Sequence, residues 1–183
     1  MTIDLDPVRA PDAYRQSLLA ALGDDDPAAV QADTPRLLRA LVAEAGDLLR
    51  VAAEPGEWSA LECLAHIVDG ELVMAGRVRW IVAEDEPDIV GYDQDLWVSG
   101  LRQVDEDPET LLAVFEAIRR WNLELWARST PVERVRIGVH RERGPESYEL
   151  TFRLAAGHDR VHLAQARHAL EAARAASGAV TPV

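Results

Sequence analysis

The tightest constraint on the fold lies near the end of the chain, where Leu150 to Ala176 reads as one long helix carrying His158-Asp159-Arg160-Val161-His162. Residues four apart sit one turn apart on the same helical face, with Cβ atoms roughly 6 Å apart. Two imidazoles so placed can chelate one metal ion. Their strip also carries Leu154, Ala155, Val161, Gln165 and Ala169, whereas Arg160, Arg167, Glu171 and Arg174 fall elsewhere and suit water. The two histidines therefore point inward. Burying neutral imidazoles is costly unless each finds a partner; core carbonyls are one solution, and a divalent ion satisfying both rings is another. A third ligand decides between them.

A helix with a buried strip needs others to pack against, and the chain supplies three more long ones. A short amphipathic helix, Pro11 to Leu22, precedes them and is stopped by Gly23. Asp26 caps a brief turn through Val30, and Thr34-Pro35 offers an N-cap with proline at the first helical position. The first long helix is expected from there to about Ala53, closed by Glu54-Pro55-Gly56. Trp58-Ser59-Ala60-Leu61-Glu62 is a capping box with an apolar residue ahead of it, opening a helix to about Ala83. That helix is apolar on more than one side, with Leu61, Leu64, Val68 and Leu72 on one and Ile67, Met74 and Ile81 on another; His66, Asp69, Val73 and Arg77 share the remaining strip. Asp107-Pro108 starts the next, and Leu111, Val114, Phe115, Ile118, Trp121, Asn122 and Leu125 carry it to about Arg128.

The connection between these last two, about 24 residues, is too long for a tight turn and holds an acidic break at 84–88 and one short helix within Tyr92 to Leu101. Val135, Ile137 and Val139 alternate with polar residues and predict a short extended arm within 131–148, before Gly144-Pro145 turns into the last helix. Four long amphipathic helices are most economically packed as an all-α four-helix bundle, one domain over 1–183 with its core at about 12–176.

Bundles build metal sites from side chains on facing helices. His168 lies about 240° around the helix from His162 and faces away. His140, expected in a loop, can reach the site but would be held loosely, whereas His66 projects from a buried helix and is the favoured third ligand. Three histidines without a fourth protein ligand leave a coordination position for water or substrate, the arrangement of catalytic metal sites. Asp69, Glu62 and Asp159 are the nearby acceptors that can orient the rings, with a surface place beside Arg160 as the alternative for Asp159. Trp58 and Trp97 are candidates for the pocket wall or for the core.

Composition narrows the function. The net charge is −13 and all 19 basic residues are arginine, so a phosphate backbone is repelled and nucleic acid is not an expected partner. The lack of lysine removes Schiff-base chemistry and a P-loop. No apolar run is long enough for a membrane span and the first residues lack a signal peptide's pattern, which predicts a soluble cytoplasmic protein acting on a small molecule. Cys63, among Leu61, Leu64 and Ile67, is expected as a buried filler and not a nucleophile.

Pro55-Gly56-Glu57-Trp58-Ser59, Leu64-Ala65-His66-Ile67-Val68-Asp69, Asp93-Gln94-Asp95-Leu96-Trp97, His140-Arg141-Glu142-Arg143-Gly144 and Ala156-Gly157-His158-Asp159-Arg160-Val161-His162 together resemble the DinB-like superfamily, in its YfiT-like branch of metal-dependent hydrolases. The likeness spans about residues 12 to 170. It implies a four-helix bundle, commonly a homodimer, holding nickel or zinc, with manganese or iron as further options, on His66, His158 and His162. It also implies a choice of chemistry, since family members include hydrolases, transferases that join a low-molecular-weight thiol such as bacillithiol to an electrophile, and thiol-dependent isomerases. His140, Glu142 and Arg143 match a family motif, and Arg143 could bind a carboxylate of a substrate or thiol. The competing reading from another class is a non-catalytic bundle whose metal is structural or stress-sensing.

Overall fold

A computed structural model describes residues 10–178. Among them are seven helices, α1 (Pro11–Leu22), α2 (Pro27–Ala45), α3 (Ala60–Ala83), α4 (Gln94–Gly100), α5 (Pro108–Arg128), α6 (Pro131–Arg134) and α7 (Tyr148–Gly178), and the strands β1 (Asp88–Ile89), β2 (Ile137–His140) and β3 (Gly144–Ser147). Local signals set most boundaries. Ser59 and Glu62 form the reciprocal capping box at the start of α3, and Asp93 and Asp107 accept from Leu96 and Thr110 amides at the starts of α4 and α5.

The helix before α3 departs from expectation at both ends. Asp26 caps α2 itself through the Ala28 amide, so the helix begins at Pro27 and Pro35 lies inside it. Thr34 is no N-cap: its hydroxyl lies 2.8 Å from Asp159 Oδ2, to which it donates, and 3.0 Å from the Val30 carbonyl, the alternative acceptor of its one proton. Proline at 35 leaves the Gln31 carbonyl without its intrahelical donor, and the Arg119 guanidinium, 3.2 Å away, supplies one. At the other end Gly46 adopts φ +52° and the chain continues to Arg50 as a 3-10 turn, so α2 stops eight residues short of Ala53.

Helices α2, α3, α5 and α7 form the four-helix bundle. Each of α2 and α3 packs on both α5 and α7, so α2 faces α3 across one diagonal and α5 faces α7 across the other. The chain therefore crosses the bundle diagonally twice. Leu38, Leu41, Leu61, Leu64, Phe115, Leu163 and Leu170 fill its middle. In α5 the buried face is Leu111, Leu112, Phe115, Arg119 and Asn122, while Val114 and Trp121 point outward, a rotation from the sequence-based face. Leu72 is likewise exposed on α3.

Residues 131–148 do form an extended arm. β2 and β3 make an antiparallel hairpin, Ile137 opposite Ser147 and His140 opposite Gly144, and β1 joins β2 in parallel with Ile89 beside His140. A second apolar cluster, Val78, Ile81, Ile89, Tyr148 and Phe152, seats this sheet against the end of α3. His140 thus sits on a strand and not on a loop.

α1 lies along α7, and the approach is closest at Gly157, where a Cβ would fall 2.1 Å from the Leu18 carbonyl oxygen. Gly157→Ala is expected to push α1 off α7 and cost at least 1–3 kcal/mol, typical of overpacking. Urea unfolding checks this, with an unchanged midpoint as the contrary result. No helix among the described residues is long and apolar enough to cross a membrane.

Candidate metal centre

Three histidines meet where α3 crosses α7. His66 comes from α3 and His158 and His162 from successive turns of α7, with one ring nitrogen of each within 4.8 Å of the others. His66 Nε2 and His158 Nε2 are 3.1 Å apart, and the ring centroids lie 4.3–4.9 Å from one another. All three rings are buried, at 2–8 % exposure. Gly70 makes room for them: a Cβ there would stand 2.9 Å from His158 Cε1.

Electrostatics keep the rings neutral. Burial, followed by the neighbouring imidazoles, holds His66 and His158 well below the ordinary histidine range, and burial brings His162 down to about 4 despite Gln165 and Asp159. His162 Nδ1 lies 2.8 Å from Gln165 Oε1, an acceptor, so that nitrogen carries the proton. His162 Nε2 is then a bare lone pair, buried with no partner. Three neutral donors with one orphaned lone pair fit a divalent cation well.

Without such a cation the sign of the pH dependence is set. Below about pH 6.5 the unfolded chain protonates His162 while the folded chain resists until about 4, so stability falls as pH drops through that window. His162 alone contributes on the order of 3 kcal/mol. Chelator-treated protein should lose urea resistance between pH 7 and pH 4.5 more steeply than His162→Gln, and parallel curves would contradict a buried neutral ring.

The candidates for orienting the rings land elsewhere. Asp69 accepts from Gln103 Nε2, Glu62 is occupied by the Ser59 cap, and Asp159 is neither at the surface nor bonded to a ring. Asp159 accepts instead from Thr34 and, bidentately, from Arg119, whose other contacts are Glu71 at 2.7 Å and the Gln31 carbonyl. Asn122 Nδ2 closes the set on Glu71 at 2.7 Å. This charged knot ties all four bundle helices together one residue from His158. Burial disfavours the Arg119 cation, yet Asp159 and Glu71 outweigh it and raise its pKa.

Two pockets reach the cluster. A narrow one of about 60 Å³ touches His66 and His158 and is walled by Tyr14, Met74, Arg77, Tyr92, His140 and Arg143. A wider one of about 460 Å³ touches His162 and is walled by Trp58, Glu54, Glu57 and the alanines of α7, with the outward-facing His168 on its rim. Trp58 packs 5.2 Å from His66 between them. Trp97 lines neither; it backs Tyr92 at 4.5 Å. In the narrow pocket His140 Nδ1 lies 2.9 Å from Glu142 Oε2 and 3.3 Å from the Glu142 amide. Nδ1 accepts from the Glu142 amide, and burial followed by Arg143 lowers the ring's pKa to about 4, so the neutral ring carries its proton on the buried, unpartnered Nε2. Arg143 is engaged by Glu146 at 2.6 and 3.0 Å and is not a free carboxylate receptor.

A family model described as the DinB superfamily matches residues 16–166. The chain belongs to the DinB superfamily. Two curated relatives from Oceanobacillus iheyensis, both named as candidate metal-dependent hydrolases, are 26 % and 27 % identical over 133 and 117 residues, covering 72 % and 63 % of this chain and 77 % and 66 % of theirs. YfiT from Bacillus subtilis, described as a candidate metal-dependent hydrolase with an unusual four-helix bundle topology, superposes with a TM-score of 0.70 over 96 % of this chain and 92 % of its own at 20 % identity. The double diagonal crossing is how this DinB-superfamily chain realises such a bundle.

Sequence reasoning overlooked Gln165, Glu71 and Arg119 as parts of the site. Gln165 was legible, three residues beyond His162 on the same strip. Nothing local marked Glu71 or Arg119, because an arginine among apolar residues on a helix reads as a snorkelling surface group.

Proposed function

We propose that the chain is a metal-dependent enzyme in which His66, His158 and His162 hold a divalent ion and a small molecule enters by the narrow pocket. The observation that carries this is the convergence of three buried neutral imidazoles with the His162 Nε2 lone pair unpartnered. A cation held there supplies Lewis acidity and a nucleophile at neutral pH. Gln165 fixes the His162 ring by taking its Nδ1 proton in a hydrogen bond, and Gly70 gives the His158 ring its space. His140, oriented by the Glu142 amide, presents its Nε2 proton as a hydrogen-bond donor to the reacting group. Trp58 and Tyr92 flank His66 and exclude bulk water. Imidazole ligands suit zinc and nickel first, then manganese or iron.

Hydrolysis follows from water as nucleophile and accords with the names of the relatives. Transfer of a low-molecular-weight thiol is the second reading, favoured by the two pockets that reach the cluster from different sides, one for each reactant. A panel of esters, amides and electrophiles separates them. Turnover with metal alone marks a hydrolase, turnover only with metal and a small thiol marks a transferase, and no turnover with a fall only in thermal stability on metal removal marks a structural or sensory bundle. Exposed Leu72, Trp80, Val114 and Trp121 on the outer faces of α3 and α5 suit a homodimer contact.

A further inference from the structure

Arg77 is a buried cation of the narrow pocket without a carboxylate of its own. It is 4 % exposed, donates to the Val90 carbonyl at 3.0 Å and touches Met74 sulfur, and its Nε has no partner. No carboxylate pairs with it among the described residues. Glu146, the nearest in effect, is committed to Arg143 by two hydrogen bonds. Of the three arginines that line the pocket, Arg15 pairs with Asp12 and Arg143 with Glu146, which leaves Arg77 as the one without an ion-pair partner among the described residues. A buried unpaired guanidinium is a strain the fold does not need; elsewhere in this molecule, at Arg119, the same problem is answered with two carboxylates.

Its placement suits a ligand. His66, Gly70, Val73, Met74 and Arg77 follow at helical spacing along one face of α3, so the pocket runs from the histidine cluster to Arg77. Helical side chains lean toward the N-terminus, which carries the guanidinium back along the pocket toward the cluster. Its charge acts on His140 behind burial and Arg143. The phenols of Tyr14 and Tyr92 line the same space, and burial raises the pKa of both, keeping them protonated donors.

We infer that the substrate of this pocket carries a carboxylate, which docks on Arg77 with Tyr14 and Tyr92 beside it and places the reacting centre at the histidine cluster. A single guanidinium without an ion-pair partner matches a singly charged carboxylate better than a doubly charged phosphate. The inference rests on the narrow pocket being the substrate site, but the binding itself does not require a metal.

The test is acetate binding to the full-length chain, followed by NMR at the arginine Nε–H signals, in zinc-loaded and chelator-treated samples. Acetamide serves as the neutral isostere and inorganic phosphate as the competing anion. Acetate should bind in both samples and acetamide in neither; Arg77→Met should weaken acetate by about 10–100-fold, the range for a charge-assisted contact. Arg77→Lys should recover most of it. Equal binding of acetate and acetamide, unchanged affinity in Arg77→Met, or tighter binding of phosphate overturns the inference. If Arg77→Met does not fold, the wild-type Arg77 Nε–H shift decides, because it must move with acetate and stay with acetamide. Failure of zinc to bind would sink the metal site while leaving the acetate result intact.

Discussion

His158→Ala is expected to take the purified protein from about one divalent ion per chain to roughly a tenth of that, with loss of all metal-dependent turnover. The ring stands 3.1 Å from His66 Nε2 and one turn from His162, so its removal leaves two imidazole donors, their centroids 4.4 Å apart, in place of three. His66→Ala should behave alike. His140→Ala should not, because His140 lines the pocket without belonging to the cluster: metal content stays near one while turnover falls by about 10²–10³-fold, the range for a lost donor to developing charge. Elemental analysis of untagged protein reads the first effect. A second readout is thermal: zinc at about 100 times its dissociation constant adds about 2.7 kcal/mol to the parent and nothing to His158→Ala. Equal metal content in parent and variant would return these histidines to the core.

The second large effect belongs to Arg119. Arg119→Met leaves Asp159 and Glu71 buried at 3 % exposure each with no counter-charge, and such an uncompensated pair costs about 3–5 kcal/mol. For a chain of this size that lowers Tm by roughly 6–20 °C. Part of the loss comes from the Gln31 carbonyl, orphaned by Pro35 and otherwise fed by Arg119. Pro35→Ala restores an intrahelical donor, so the double variant should regain about 1 kcal/mol relative to the sum of the single changes. Removing the charges together, with Glu71→Leu and Asp159→Leu added to Arg119→Met, should recover most of the stability. Thermal scans of the set check all three statements, and a wild-type Tm for Arg119→Met would show that the knot does not hold the helices.

What could be read in the chain and what could not divide along one physical line. α1, α3 and α5 begin or end where Gly23, the Ser59-Glu62 box and Asp107-Pro108 say they should, because caps act over three or four residues. The same local logic failed at Thr34-Pro35, where a distant guanidinium satisfies the carbonyl that proline strands. The hydrophobic repeat likewise ran on past Ala45, since a 3-10 turn and a left-handed glycine keep Leu48 and Leu49 in contact with the core without continuing the helix. At the site, His66, His158 and His162 were identifiable by type and spacing. Arg77 was visible on their strip, but that its charge lacks a partner is a property of α3, β1 and the hairpin together.

The diagonal path of the chain has a temporal consequence. His66 and His158 are 92 residues apart in sequence. At translation rates of about 5–20 residues per second, His66 emerges roughly 5–18 s before its first partner. Ligation of an ion by all three rings must therefore wait until α7 has followed α3 out of the ribosome, and a copy that stops before α7 has no means of loading the centre. On the proposed reading, metal loading follows the docking of α7, and occupancy doubles as a record that the bundle closed.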